Sequence, residues 1–138
     1  MGVAGRTVEE LKVKTVSFLV LCVLLGGVTW VGHAEQNQVW TGSLVDASCY
    51  LTDNSQSGND HTDMKSCGTA CLKMGRPAGI VTAEKRFFVL LVASPDIAEF
   101  VGQTIRVTGK LRNGSILVDK LEVKKGTGWV TAKLSTMM

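Results

Sequence analysis

QTIRVTGKLRNGSILVDKLEVKK, residues 103–125, decides the fold class. Ile105, Val107 and Gly109 alternate with Arg106, Thr108 and Lys110, a period of two that marks a half-buried strand. Asn113-Gly114 comes next, the residue pair that tolerates the positive φ angles of a tight two-residue hairpin turn. SILVDKLEVKK, residues 115–125, is the return strand. This stretch therefore predicts a hairpin.

Reading backwards, SPDIAEFVG at 94–102 has the marks of a short helix. Ser94 suits the N-cap, Pro95 the first helical position and Asp96 the first turn, and Gly102 stops it. Its inner face is Ile97, Phe100 and Val101. Before it, GIVTAEKRFFVLLVA at 79–93 predicts another hairpin, with arms at 80–82 and 86–92. The run FFVLLV is almost wholly apolar, so this strand is expected to be buried on both sides or to lie at the centre of the core. At the front, QVWTGSLVDASC at 38–49 is a strand, with Gly42 predicted to make a bulge or bend. The tail, 126–138, is weakly patterned, with Trp129 and Val130 able to add a short edge segment.

Between the first strand and the first hairpin lies YLTDNSQSGNDHTD at 50–63, a long polar loop. Residues 62–74 then predict a helix, capped by Thr62 or Asp63, closed by Gly75 and kept from resuming by Pro77. Met64, Cys67, Cys71 and Met74 follow the spacing of one helical face, giving an expected buried stripe of sulfur with His61 at its end. The whole order is strand, loop with helix, hairpin, short helix, hairpin. It predicts a mainly β chain forming a five-stranded OB-like barrel, with a short helix between strands 3 and 4 and a Cys/His-bearing loop-helix after strand 1.

The N-terminus reads as export machinery. A polar segment bearing Arg6, Lys12 and Lys14 precedes an uncharged apolar run at 15–31, and Gly32 and Ala34 supply small residues for cleavage after Ala34. The apolar run is at the short end of the ~17–25 residues of a spanning helix, so an uncleaved anchor is the rival reading and the only membrane contact expected. The expected organisation is a signal segment at 1–34, a barrel domain at 35–125 and the tail at 126–138. Either reading sends the domain out of the cytoplasm, to the periplasm or beyond. Leu21 before Cys22 departs from a lipoprotein pattern, so Cys22 reads as a hydrophobe of that segment.

GSLVDASCY at 42–50, HTDMKSCGTACLKMGRPAGIV at 61–81 and VGQTIRVTGKL at 101–111 resemble a group of small exported bacterial domains of unknown function with an OB-like barrel. Its members run G-x-L-x-D-x-x-C, a His-rich loop, C-x-x-x-C and a V-G-x-x-V-x-V-T-G-like strand. The resemblance covers most of residues 38–123. It implies an exported domain and supplies no activity.

A net charge of +3 and 6 % aromatic residues argue against a nucleic-acid partner, and the cations of residues 106–125 read as a solvated face. The other partners are not legible. The chemistry concentrates in Cys49, His61, Cys67 and Cys71, for which three readings stand side by side. An oxidising compartment favours disulfides, with Cys49 bonded to Cys67 or Cys71 and one thiol left over. A Cys3His set suits Zn(II), and Cu(I) becomes an option with Met64 and Met74 as thioethers. A thiol oxidoreductase is the third, although C-x-x-C and a βαβ context are both missing. Asp46, Asp53, Asp60 and Asp63 lack EF-hand spacing and read as turn formers, with Asp46 bonding backbone at the strand end. No complete catalytic constellation is present, and the leading expectation is a non-enzymatic binding or structural module.

Overall fold

The structure is a computed structural model that describes residues 36–61 and 63–135. The expected signal segment at 1–34, Cys22 and the expected Thr62 cap lie outside these. The described chain is mainly β, as the alternation requires. Six strands run β1 (Gln38–Asp46), β2 (Ala78–Thr82), β3 (Phe87–Leu91), β4 (Thr104–Arg112), β5 (Ser115–Lys125) and β6 (Gly128–Thr131). They form one sheet in the order β3-β2-β1-β4-β5-β6, and β3 also pairs with β5. That last pairing is parallel, whereas the other neighbours are antiparallel. β1 to β5 thus close into a ring of five strands, and β6 extends it from the tail.

The hairpin at 103–125 forms as its sequence predicts. Asn113 (φ 47°) and Gly114 (φ 79°) are both left-handed, and Arg112 faces Ser115 across the turn. Ile105 and Val107 are buried, and the polar side carries Arg106, whose guanidinium pairs with Glu122 at 2.9 Å beside Lys120. The predicted helix at 94–102 is a 3₁₀ helix, Ser94–Phe100, between β3 and β4.

Three strand-level expectations need correction. β3 is not buried on both sides: only Leu90 is buried, and Leu91 is 40 % exposed. It has strand neighbours on both edges, but that covers backbone and leaves one face of side chains outside the core. Gly42 makes no bulge; the irregularity in register lies at Thr108/Gly109. Gly42 is needed instead because a Cβ there would clash with the Val81 carbonyl oxygen, in the ladder where β1 meets β2 and β4 at once. The first strand ends at Asp46 rather than Cys49, and a helix not expected from the sequence follows: α1, Ala47–Thr52.

α2, Cys67–Lys73, is the second helix and is shorter than the 62–74 predicted. Ser66 before it is left-handed (φ 55°), so the helical path cannot extend back to Met64. At its other end Gly75 (φ 84°) donates to the Leu72 carbonyl and Arg76 to that of Cys71, closing the helix where the sequence placed the stop.

The main core joins both layers. Leu44, Ile80, Ile105, Val107, Ile116, Leu121 and Val123 from the sheet pack with Leu72 of α2 and Ile97, Ala98 and Val101 from the 3₁₀ segment. Each such aliphatic side chain contributes about 1.5–3 kcal/mol by burial. A smaller cluster, Val45, Tyr50 and Val81 with Phe87, holds α1 against the outer face of β2; the Tyr50 and Phe87 rings stack at 5.4 Å. These two anchorages fix where α1 and α2 meet.

Candidate metal centre

The site is assembled from three short pieces of chain. The first is the β1–α1 junction. Asp46 is fully buried and caps α1: its Oδ1 accepts from the backbone N–H of Ser48 at 2.8 Å and of Cys49 at 3.2 Å. A capping side chain satisfies amides that the first turn leaves open. It also fixes the direction in which Cys49 leaves the helix. The expectation that Asp46 bonds backbone at the strand end holds, and its consequence is a helix.

The second piece is the loop. Asp53 forms a turn as expected, its Oδ1 accepting from Ser55 N–H at 2.9 Å, whereas Asp60 reaches six residues on, its Oδ1 accepting from Ser66 N–H at 2.7 Å. Asn59 clips the loop to α2. Its carbonyl accepts from Gly68 N–H at 3.0 Å, and its side-chain oxygen from Thr69 N–H at 2.8 Å. His61 and Met64 exchange backbone hydrogen bonds of 3.0 and 2.9 Å, which pins the histidine backbone. The imidazole is 4 % exposed, and its Nε2 meets the Gly58 carbonyl at 3.0 Å. A carbonyl can only accept, so Nε2 carries a proton, and in the neutral imidazole this leaves the lone pair on Nδ1. Nδ1 is buried without a hydrogen-bond partner.

The third piece is α2, where Cys67 and Cys71 lie one turn apart with their sulfurs at 4.0 Å. All four residues singled out from the sequence meet here. Ligand atoms of Cys49, His61 and Cys67 lie within 4.8 Å of one another, and so do those of Asp46, Cys49 and Cys71. Cys49 Sγ is common to both groups, so the three sulfurs are mutual neighbours. Around a tetrahedral ion with bonds of about 2.3 Å, sulfurs stand about 3.8 Å apart. The Cys67–Cys71 pair at 4.0 Å is close to that spacing, and Cys49 joins it within 4.8 Å.

Two features depart from the sequence reading. Met64 and Met74 do not join a buried stripe: they are 62 % and 73 % exposed, because α2 begins after one and ends before the other. Asp46 lies outside the ligand set that the sequence predicts, yet a carboxylate oxygen of it belongs to the second group. With Oδ1 engaged in the cap, Oδ2 is the oxygen left over, and it is buried with no hydrogen-bond partner. The signal for this was in the sequence: an aspartate three residues before Cys49, followed by Ala-Ser-Cys-Tyr-Leu, is an N-cap ahead of a helix.

The three cysteines of the described chain are free thiols. Burial, followed by the Asp46 charge, pushes Cys49 above its ordinary value. Burial, then contact with Asp46 and Cys67, pushes Cys71 up to about 12. These are protonated thiols at neutral pH, as expected where a carboxylate and several sulfurs share a buried space without a cation. A bound cation inverts this order and holds the thiols deprotonated. A Cys67–Cys71 disulfide is opposed by the helix itself, since residues one turn apart hold their Cβ atoms about 5–6 Å apart and a disulfide needs about 3.5–4.5 Å.

No protein-family model, curated protein or solved structure matches the chain. Its class is therefore defined by what it contains: a closed ring of five strands bearing an inserted two-helix segment, with thiols, an imidazole and a carboxylate converging between the helices.

Proposed function

We propose that this protein is an exported metal-binding module of OB-like barrel architecture, with Cys49, Cys67 and Cys71 as thiolate ligands and neutral His61 as the fourth. The observation that carries the reading is the imidazole. His61 is buried, held by the Gly58 carbonyl through Nε2, and its Nδ1 has no hydrogen-bond partner; a ring nitrogen of it lies within 4.8 Å of the sulfurs of Cys49 and Cys67. A backbone carbonyl on the far nitrogen is how proteins orient a metal-ligating histidine. A buried acceptor with no donor otherwise costs about 1–3 kcal/mol, which a metal bond would remove.

The barrel reading draws support from the strand ring, where parallel β3–β5 pairing closes the circuit and the 3₁₀ helix sits between β3 and β4. Export draws support from the apolar run at 15–31 and the small residues before Glu35. The function is coordination itself, for storage, sensing or structural closure, rather than turnover.

Native mass spectrometry of the full chain purified without reductant, paired with thiol alkylation under denaturing conditions, tests this. One bound metal, with Cys49, Cys67 and Cys71 all alkylated after its release, supports coordination. A mass two hydrogens short, with one of those three alkylated and no metal, replaces it by a covalent staple between Cys49 and α2.

A further inference from the structure

We infer that Asp46 is a fifth donor of the same centre, an oxygen beside the three thiolates and His61, and the residue that makes it select a divalent, borderline ion such as Zn(II) over Cu(I); this deepens the metal-binding reading and rests on it. The carboxylate is fully buried. Its Oδ1 is committed to the α1 cap, and its Oδ2 has no partner although it is inside the protein. A buried carboxylate oxygen is tolerated only where something compensates it. A carboxylate oxygen of Asp46 lies within 4.8 Å of the sulfurs of Cys49 and Cys71, the groups with which this side chain shares its space.

Charge and softness both follow from this placement. Asp46 with Cys49 and Cys71 as thiolates is an all-anionic set, and a divalent ion neutralises twice the charge that a monovalent one does. Carboxylate oxygen and imidazole suit Zn(II), whereas Cu(I) is selected by thiolate and thioether sulfur. The thioethers that would have favoured Cu(I), Met64 and Met74, stand in solvent. The buried donors beside the thiols are thus an oxygen and a nitrogen.

The test separates the cap from the donor. Asp46→Asn keeps a side-chain oxygen for the Ser48 and Cys49 amides, since Asn caps as well as Asp, but removes the anionic oxygen. Asp46→Ser also caps and removes the second oxygen altogether, and it answers the question if the Asn variant fails to reach the wild-type circular dichroism spectrum. Zn(II) and Cu(I) affinities of the full-length chain and both variants are measured by anaerobic competition with chromophoric chelators. The expected result is a loss of Zn(II) affinity of at least about 10-fold, the scale of a removed supporting carboxylate. Cu(I) affinity is unchanged or higher, so the ratio moves towards Cu(I). An unchanged ratio in the folded variants, with both affinities kept or both reduced together, makes Asp46 a helix cap only and overturns the inference. Wild type that binds neither ion removes the metal reading itself, a failure visible before any variant is compared.

Discussion

At the scale of the residue, the site is defined by what is left unsatisfied. His61 Nδ1 and Asp46 Oδ2 are buried polar atoms without hydrogen-bond partners, and both residues place a ligand atom within 4.8 Å of the thiols. Native proteins rarely leave such atoms alone, so two together point to a ligand. Replacing His61 by Ala should lower metal affinity by about 10–100-fold or more, measured by chelator competition, while the three thiols of the described domain remain alkylatable after metal release. The buried thiols give a prediction with a definite sign. Without metal, Cys71 binds its proton more tightly in the folded chain than in the unfolded one, because its value is raised to about 12. Stability of the metal-free protein should therefore be complete below about pH 8.5, where both states are protonated, and fall as pH rises above it towards the folded value. Metal should reverse this, since coordinated thiolates carry no proton to lose. Urea melts between pH 7 and 10, with and without metal, read both slopes. A Cys71→Ser variant should flatten the metal-free one.

At the scale of the element, the two short helices exist because specific side chains satisfy their ends. Neither α1 nor α2 is long enough to be stable by itself, and isolated helices below about 12–15 residues are marginal in water. Asn59 supplies two acceptors to the start of α2, so Asn59→Ala should cost about 1–2 kcal/mol in urea unfolding and loosen His61, lowering metal affinity as well. Gly68 lets α2 lie directly on the segment after the 3₁₀ helix: a Cβ there would stand 2.6 Å from Val101 Cγ1. Gly68→Ala should destabilise by about 1–3 kcal/mol through overpacking. Capping also explains what was legible at this scale and what was not. Gly75 and the Asn113-Gly114 turn act through their own backbone angles, so the sequence announced them. The left-handed Ser66 and the reach of Asn59 to Thr69 depend on the folded loop, and so the start of α2 fell later than periodicity predicted.

At the scale of the whole molecule, Leu72 links the site to the core. It is fully buried among sheet residues while its neighbour Cys71 faces the thiols. Leu72→Ala should cost about 2–5 kcal/mol, and metal at a hundredfold excess over its dissociation constant should return about 2.7 kcal/mol of that. A thermal or urea titration with and without metal measures both terms in one series.

By itself the sequence determined the strands, the hairpins, the short helix before β4 and the common face of Cys67 and Cys71. These follow from periodicity and turn chemistry, which act over a few residues and need no knowledge of the rest of the chain. Tertiary structure alone decided that β3 pairs with β5 to close the ring, that Cys49 and His61 arrive beside α2, that Met64 and Met74 stay in solvent, and that the buried Asp46 carboxylate comes to lie beside the thiols. Each of these depends on contacts between residues far apart in the chain, and local patterning carries no information about which distant partner a strand edge or a side chain will meet.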